Sequence, residues 1–303
     1  MTESLQDKLA RLPVVGWVVG LLKAVRLPGF EGLTLYDLSE MYVQGIVKGA
    51  LTYRASAISF SFFMALFPFL LFVLNLLPYV PIDNFQRDFL DLIESLLPPK
   101  SVGFLDNVIG DIVNNQRGGL LSSVFFLSIF LMANGVNAIF DGFESSYHTT
   151  INRKMIKQYV VSVLVAIMLV LITLFAVVGF VYLQYLRIVE AEGGDGGVIG
   201  IQLAKGLFFV VISYLITATL YYFGTADSKH TRFFSPGALM TTILLVVTTY
   251  LFGIYIENFG RYNELYGSIG GLIIFMLYIW LNSNLLLLGF ELNAALRSLK
   301  RNF

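Results

Sequence analysis

The chain has 303 residues, 57% of them hydrophobic and 13% charged, with twenty basic side chains balanced by twenty acidic ones. Soluble domains carry about 25% charged residues, so this composition, with a mean hydropathy of +0.76, marks a membrane chain. The absence of cysteine excludes disulfides, thiolate metal sites and cysteine nucleophiles, and a net charge of zero favours neither nucleic acid nor acidic partners.

The N-terminal region, 1–49, reads as amphipathic and interfacial. Glu3, Asp7, Lys8 and Arg11 precede a short apolar run from Val14 to Leu22, and Lys23 and Arg26 follow it. That run is too short to span and has no cleavage signature. With Trp17 on it, it suits the membrane surface. A second helix is expected from Thr34, with Asp37 as capping partner and Leu35, Leu38, Tyr42 and Ile46 along one face.

The remainder, 50–303, reads as an all-α, polytopic membrane domain with six transmembrane helices. The spans fall at about 50–77, 119–140, 159–186, 198–223, 237–256 and 268–290. The first contains Arg54 near its start and Pro68 near its middle, where a kink is expected. Between the first and second spans, 78–118 reads as an external two-helix cap. One helix is striped by Phe85, Phe89, Leu92, Ile93 and Leu96, the next by Leu105, Val108, Ile109, Ile112 and Val113. The sixth span, Ser268 to Phe290, has no charge in 23 residues and is closed by Glu291.

Basic residues set the orientation. With the N-terminus inside, fourteen Lys and Arg fall in inside segments and five outside, with Lys205 within the fourth span. The positive-inside rule then makes both termini cytoplasmic and turns the cap outward.

Three blocks carry a family likeness. They are Arg54-Ala-Ser-Ala-Ile-Ser-Phe to Leu66-Phe67-Pro68, then Ala133-Asn134-Gly135-Val136 through Tyr147, and then Ser235-Pro236-Gly237-Ala238 with Asn258-Phe259-Gly260, Gly267-Ser268 and Leu288-Gly289-Phe290-Glu291-Leu292-Asn293-Ala294. Over about residues 35 to 297 the chain resembles the YihY/BrkB family of bacterial inner-membrane proteins. The resemblance implies a multi-pass protein of the bacterial inner membrane, for which a transport role is commonly supposed. Members were once labelled ribonuclease BN. The family supplies no established catalytic residues, cofactor or metal, and none is expected here. Phosphodiester hydrolysis needs a metal clamp or paired acid and base, whereas His148 and His230 stand isolated in short polar loops.

Polar groups inside spans usually face a cavity or a partner helix, and two sets echo one another. Asn134, Asn137, Asp141 and Gly142-Phe143-Glu144 mark the second span. Asn282, Asn284 and Gly289-Phe290-Glu291 mark the sixth. In each, an amide precedes a carboxylate by seven residues, on one helical face. These stripes are expected to line a polar path open to the cytoplasm, with Arg54 pairing with Glu291 or Glu144. The bland reading makes the amides interhelical glue. Between spans five and six, Asn258, Arg261, Tyr262, Asn263, Glu264 and Tyr266 form an outer knot, read as a structural plug or an outer gate. Lys205 reads as snorkelling to the surface or contacting a lipid head group. Two functions follow: a transporter or lipid translocase moving a small solute, ion or head group, and a non-transporting envelope scaffold. Membrane lipids are the expected partners, the substrate and oligomeric state stay open, and an enzyme ranks third.

Overall fold

The computed structural model describes residues 50–76, 118–146, 153–191, 195–225, 232–258 and 268–301, with isolated positions between 20 and 43. The expected cap at 78–118, most of the N-terminal region and the loop from 259 to 267 lie outside the described residues. Among the described residues, six long helices carry the fold: α1 Leu51–Leu76, α2 Gly118–Glu144, α3 Met155–Ala191, α4 Asp195–Gly224, α5 Pro236–Asn258 and α6 Ser268–Arg301.

Each helix contains one of the apolar runs read from the sequence. Among the described residues, five stretches are long and apolar enough to cross a membrane: Phe125–Glu144, Met155–Leu183, Gly200–Gly224, Pro236–Ile256 and Gly270–Ser298. The remaining helix, α1, has 26 residues and is about 39 Å long at 1.5 Å per residue. It continues through Pro68, whose carbonyl accepts a 2.6 Å hydrogen bond from Ser128 on α2.

The sequence reading ended the sixth span at Phe290, with Glu291 at the boundary. The helix instead runs on to Arg301, 34 residues in all. Nothing breaks it there: Leu292, Asn293, Ala294, Ala295 and Leu296 include no glycine or proline, and Ala294 and Ala295 are buried. Glu291 is therefore an interior helical residue.

Local chemistry sets several helix ends. Ser235 and Pro236 open α5 in the preferred order, N-cap then N1, and the Ser235 hydroxyl accepts from the Ala238 N–H at 3.3 Å. At the start of α1, Ala50 adopts φ 46°, a left-handed conformation that costs a residue with a Cβ roughly 1–2 kcal/mol. Its carbonyl accepts from the N–H groups of Tyr53 and Arg54. In the N-terminal region, Lys23 stands 4.8 Å from the centre of the Tyr36 ring.

The helices form a ring in chain order. Each packs against its neighbours in sequence, and α6 returns to pack against α1. At one end of the ring, here called the basal end, α1, α3 and α5 begin and α2, α4 and α6 run to their close. This end is filled by Phe140, Phe143, Tyr221, Leu287 and Phe290, all fully buried. A methyl group added at Gly224 would sit 2.6 Å from the Phe143 ring. Gly200, Gly206, Gly253 and Gly271 lie on exposed faces of their helices, where a methyl would meet nothing within 4 Å among the described residues, whereas one at Gly179 on α3 would sit 2.6 Å from the Phe208 ring of α4.

Candidate functional site

The basal core is built around a buried ion pair. Arg54, on the first turn of α1, is 6% exposed and Glu291 on α6 is 0% exposed. Nη2 of Arg54 donates to Glu291 Oε1 at 2.7 Å, and Nη1 donates to the Gly142 carbonyl on α2 at 2.7 Å. The second carboxylate oxygen of Glu291 accepts from the Ser146 hydroxyl at 2.8 Å. One guanidinium and one carboxylate so join α1, α6 and the end of α2. Charge-assisted bonds of this kind are short and strong, and burial leaves neither charge a solvent alternative. The Nε of Arg54 is buried without a hydrogen-bond partner among the described residues.

The aromatic members of the two Gly-Phe-Glu triplets meet directly. Phe143 and Phe290 stack with centroids 4.0 Å apart and planes at 3°. Tyr221 of α4 closes edge-on against both, at 5.5 Å and 6.0 Å. The Tyr221 hydroxyl donates to the Leu286 carbonyl at 2.6 Å. Its single proton thus used, it accepts from Thr241 of α5, also at 2.6 Å.

The helices α5 and α6 approach so closely that side chains are excluded. A methyl at Gly289 would run into the Thr241 hydroxyl and the Tyr221 hydroxyl, and one at Gly237 into the Gly289 carbonyl. Small residues permit this approach in membrane helices. Asn293 of α6 then caps α5. Its carbonyl oxygen accepts from the Gly237 N–H at 2.8 Å, satisfying a first-turn donor that the helix itself leaves unpaired, and its amide donates to Ser235 at 3.0 Å.

The stripe on α2 faces two neighbours. Gly142 and Phe143 turn to the clasp, but Asn137 and Asp141 turn to α3. The Asn137 amide donates to Asp141 at 3.0 Å. Gln158 on α3 donates to Asp141 at 2.6 Å and to Asn137 at 3.3 Å, and Ser162 lies 3.4 Å from the same Asn137 oxygen. Gln158 and Ser162 are buried whereas Asp141 is exposed, so the cluster reaches the surface of the bundle on one side. Asn134 is half-buried on the same helix.

Glu144 does not take part in the pair with Arg54. It accepts from the Arg153 N–H at 3.0 Å, ahead of α3, while the Arg153 guanidinium donates to the Thr225 carbonyl at the end of α4. Burial pulls the Arg153 guanidinium below its ordinary pKa, and the nearby Glu144 charge acts in the opposite direction. On α6, Asn282 and Asn284 donate to carbonyls of their own helix, Tyr278 at 2.9 Å and Trp280 at 2.7 Å. The amide ends of the two stripes thus do not bond to each other, while their Gly-Phe-Glu ends converge.

Lys205 is half-buried, its ammonium 5.4 Å from the Phe180 ring centre on α3. Asn258 ends α5, and Arg261, Tyr262, Asn263, Glu264 and Tyr266 lie outside the described residues. Sequence reasoning missed Ser146, Gln158, Tyr221 and Thr241. For the first two the signal was slight, a polar residue near a helix end. Tyr221 and Thr241 sit in runs of Tyr and Thr that apolar periodicity does not separate.

The chain matches the family model described as virulence factor BrkB over residues 43–302. It is 28% identical over 251 residues to the "Putative ribonuclease-like protein YfkH" of Bacillus subtilis, covering 82% of this chain and 90% of that protein. A "UPF0761 membrane protein" of Coxiella burnetii is 26% identical over 244 residues, covering 78% of this chain and 84% of the relative. Another, from Aggregatibacter aphrophilus, is 22% identical over 262 residues, covering 86% and 92%. No solved structure matches. The family match takes in the whole ring from α1 to α6, with both partners of the buried ion pair, and the chain belongs to the BrkB virulence-factor family of membrane proteins.

Proposed function

We propose that the chain is a six-span inner-membrane transporter or lipid translocase, held here with its basal end shut. The observation that carries the reading is the buried Arg54–Glu291 pair at one end of a helical ring. Ionisable groups inside a membrane bundle are costly and usually mark a pathway or a gate. A bistable closure needs contacts that break together, and the pair, the Phe143–Phe290 stack and the Tyr221 hydroxyl lie within one knot. By the positive-inside rule, the knot faces the cytoplasm and both termini are cytoplasmic. Asn134, Asn137 and Asp141 then lie beside the gate, with Asn282 and Asn284 above it on α6.

The scaffold reading has its own support. Asn282 and Asn284 bond to their own helix, and Asn137 joins α2 to α3, which is what interhelical glue does. The ribonuclease-like name of the Bacillus relative draws no support here, since RNA binding uses a basic surface and this chain balances twenty basic side chains with twenty acidic.

Purified protein in liposomes decides between them, with lipid flipping and ion flux measured together. Flux or flipping above protein-free vesicles, reduced when Arg54 and Glu291 are replaced together, is expected. Neither activity above background in correctly inserted protein leaves the scaffold. Because the chain has no native cysteine, single cysteines at Asn134 and Asn137 can report water access from each side.

A further inference from the structure

A second site lies in the wall of the ring. Between α4 and α5 runs a groove of about 480 Å3, its surface apolar throughout. Val210, Val211 and Tyr214 form one side, and Leu239, Ile243 and Val247 the other. Its lining on α5, Leu239 to Val247, extends about 12 Å along the helix at 1.5 Å per residue. The basal mouth is marked by Phe234, which lines the groove and stacks on Tyr214 at 5.9 Å. Two residues before it stands Arg232, with its side chain exposed.

We infer that this groove holds one acyl chain of an anionic phospholipid from the basal leaflet, with the lipid phosphate against Arg232. An apolar trough along the first turns of α5, with an exposed cation two residues ahead of Phe234 at its mouth, has the charge order of a phospholipid. The chain segment alone gives little preference, because lipid tails are as apolar as the groove. Selectivity arises at the head. A basic residue near an anionic surface contributes enough for about fivefold discrimination. The site is in the wall between two helices and is separate from the Arg54–Glu291 knot, so it stands whether or not the chain transports.

Native mass spectrometry of the full chain, purified with a defined mixture of phosphatidylglycerol and phosphatidylcholine, tests this. The expected result is one retained phosphatidylglycerol, preferred about fivefold over phosphatidylcholine. Arg232→Gln should abolish the preference, and Ile243→Trp should reduce retention of both lipids by filling the trough. Ile243 is 54% exposed, so its substitution leaves the core intact, and an unchanged unfolding midpoint checks that. Equal retention of both lipids by the native chain, or a preference that survives Arg232→Gln, overturns the inference. So does a dimer that Ile243→Trp splits, since the occupant is then a second copy. Should Ile243→Trp fail to fold, Arg232→Gln decides alone.

Discussion

Replacing Glu291 by leucine removes the acceptor of two hydrogen bonds, from Arg54 at 2.7 Å and from Ser146 at 2.8 Å. The guanidinium stays 6% exposed with one remaining carbonyl partner, Gly142. Breaking a buried pair from one side costs about 3–5 kcal/mol, because a charge is left uncompensated. At about 2–4 °C per kcal/mol for large domains, the unfolding midpoint in detergent should fall on the order of 10 °C. Arg54→Met should be comparably harmful, since it leaves the carboxylate buried. The double replacement, Arg54→Met with Glu291→Leu, should recover most of the loss, because apolar side chains of similar volume often substitute for a buried pair at little cost. Thermal unfolding followed by fluorescence-detected gel filtration measures all four members of the cycle. A Glu291→Leu protein within 1 kcal/mol of the native one, or a double variant no more stable than the worse single, would refute the reasoning. The double variant, being folded, is also the protein in which to look for lost gating.

Gly289→Ala should destabilise by about 1–3 kcal/mol through overpacking against Thr241 and Tyr221, with partial relief from Thr241→Ala. Gly271→Ala, which meets nothing within 4 Å among the described residues, should be neutral or slightly stabilising, and the same unfolding assay compares them. Phe143→Ala and Phe290→Ala should each cost about 3–5 kcal/mol. Their double variant should fall short of the sum by about 0.5–1.5 kcal/mol, the worth of an aromatic pair, and full additivity would mean that the rings do not stack. Ala50→Gly should raise stability by about 1 kcal/mol by relieving the left-handed backbone before α1. Glu144→Gln, which keeps an oxygen acceptor for the Arg153 N–H, should change stability by less than about 1 kcal/mol, in contrast to Glu291.

The helices were legible because uncharged apolar runs of this length have few other fates. Their approximate bounds follow from where charge and glycine return. The extension of α6 beyond Phe290 was not legible, because a carboxylate in sequence looks like a membrane boundary. What makes Glu291 compatible with the interior is Arg54, 237 residues away. The two Gly-Phe-Glu triplets were visible as a pattern, and their convergence is real for glycine and phenylalanine. It fails for the acids: Glu291 turns into the core, whereas Glu144, as the last residue of α2, turns to the segment leading into α3. The sequence places Asn137 and Asp141 on one polar stripe of α2, but helical periodicity specifies a face and not the neighbour it meets. Gln158 and Ser162 of α3 settle the neighbour, and neither belongs to any repeat in the sequence.

The return of α6 to α1 has a consequence for biosynthesis. Arg54 emerges early from the ribosome, and its counter-ion follows 237 residues later, roughly 10–50 s at ordinary elongation rates. Throughout that interval Arg54 lacks the carboxylate it pairs with in the folded ring. A chain truncated after α5 keeps that helix but never receives the acid, and it is the form that a membrane protease should recognise and remove.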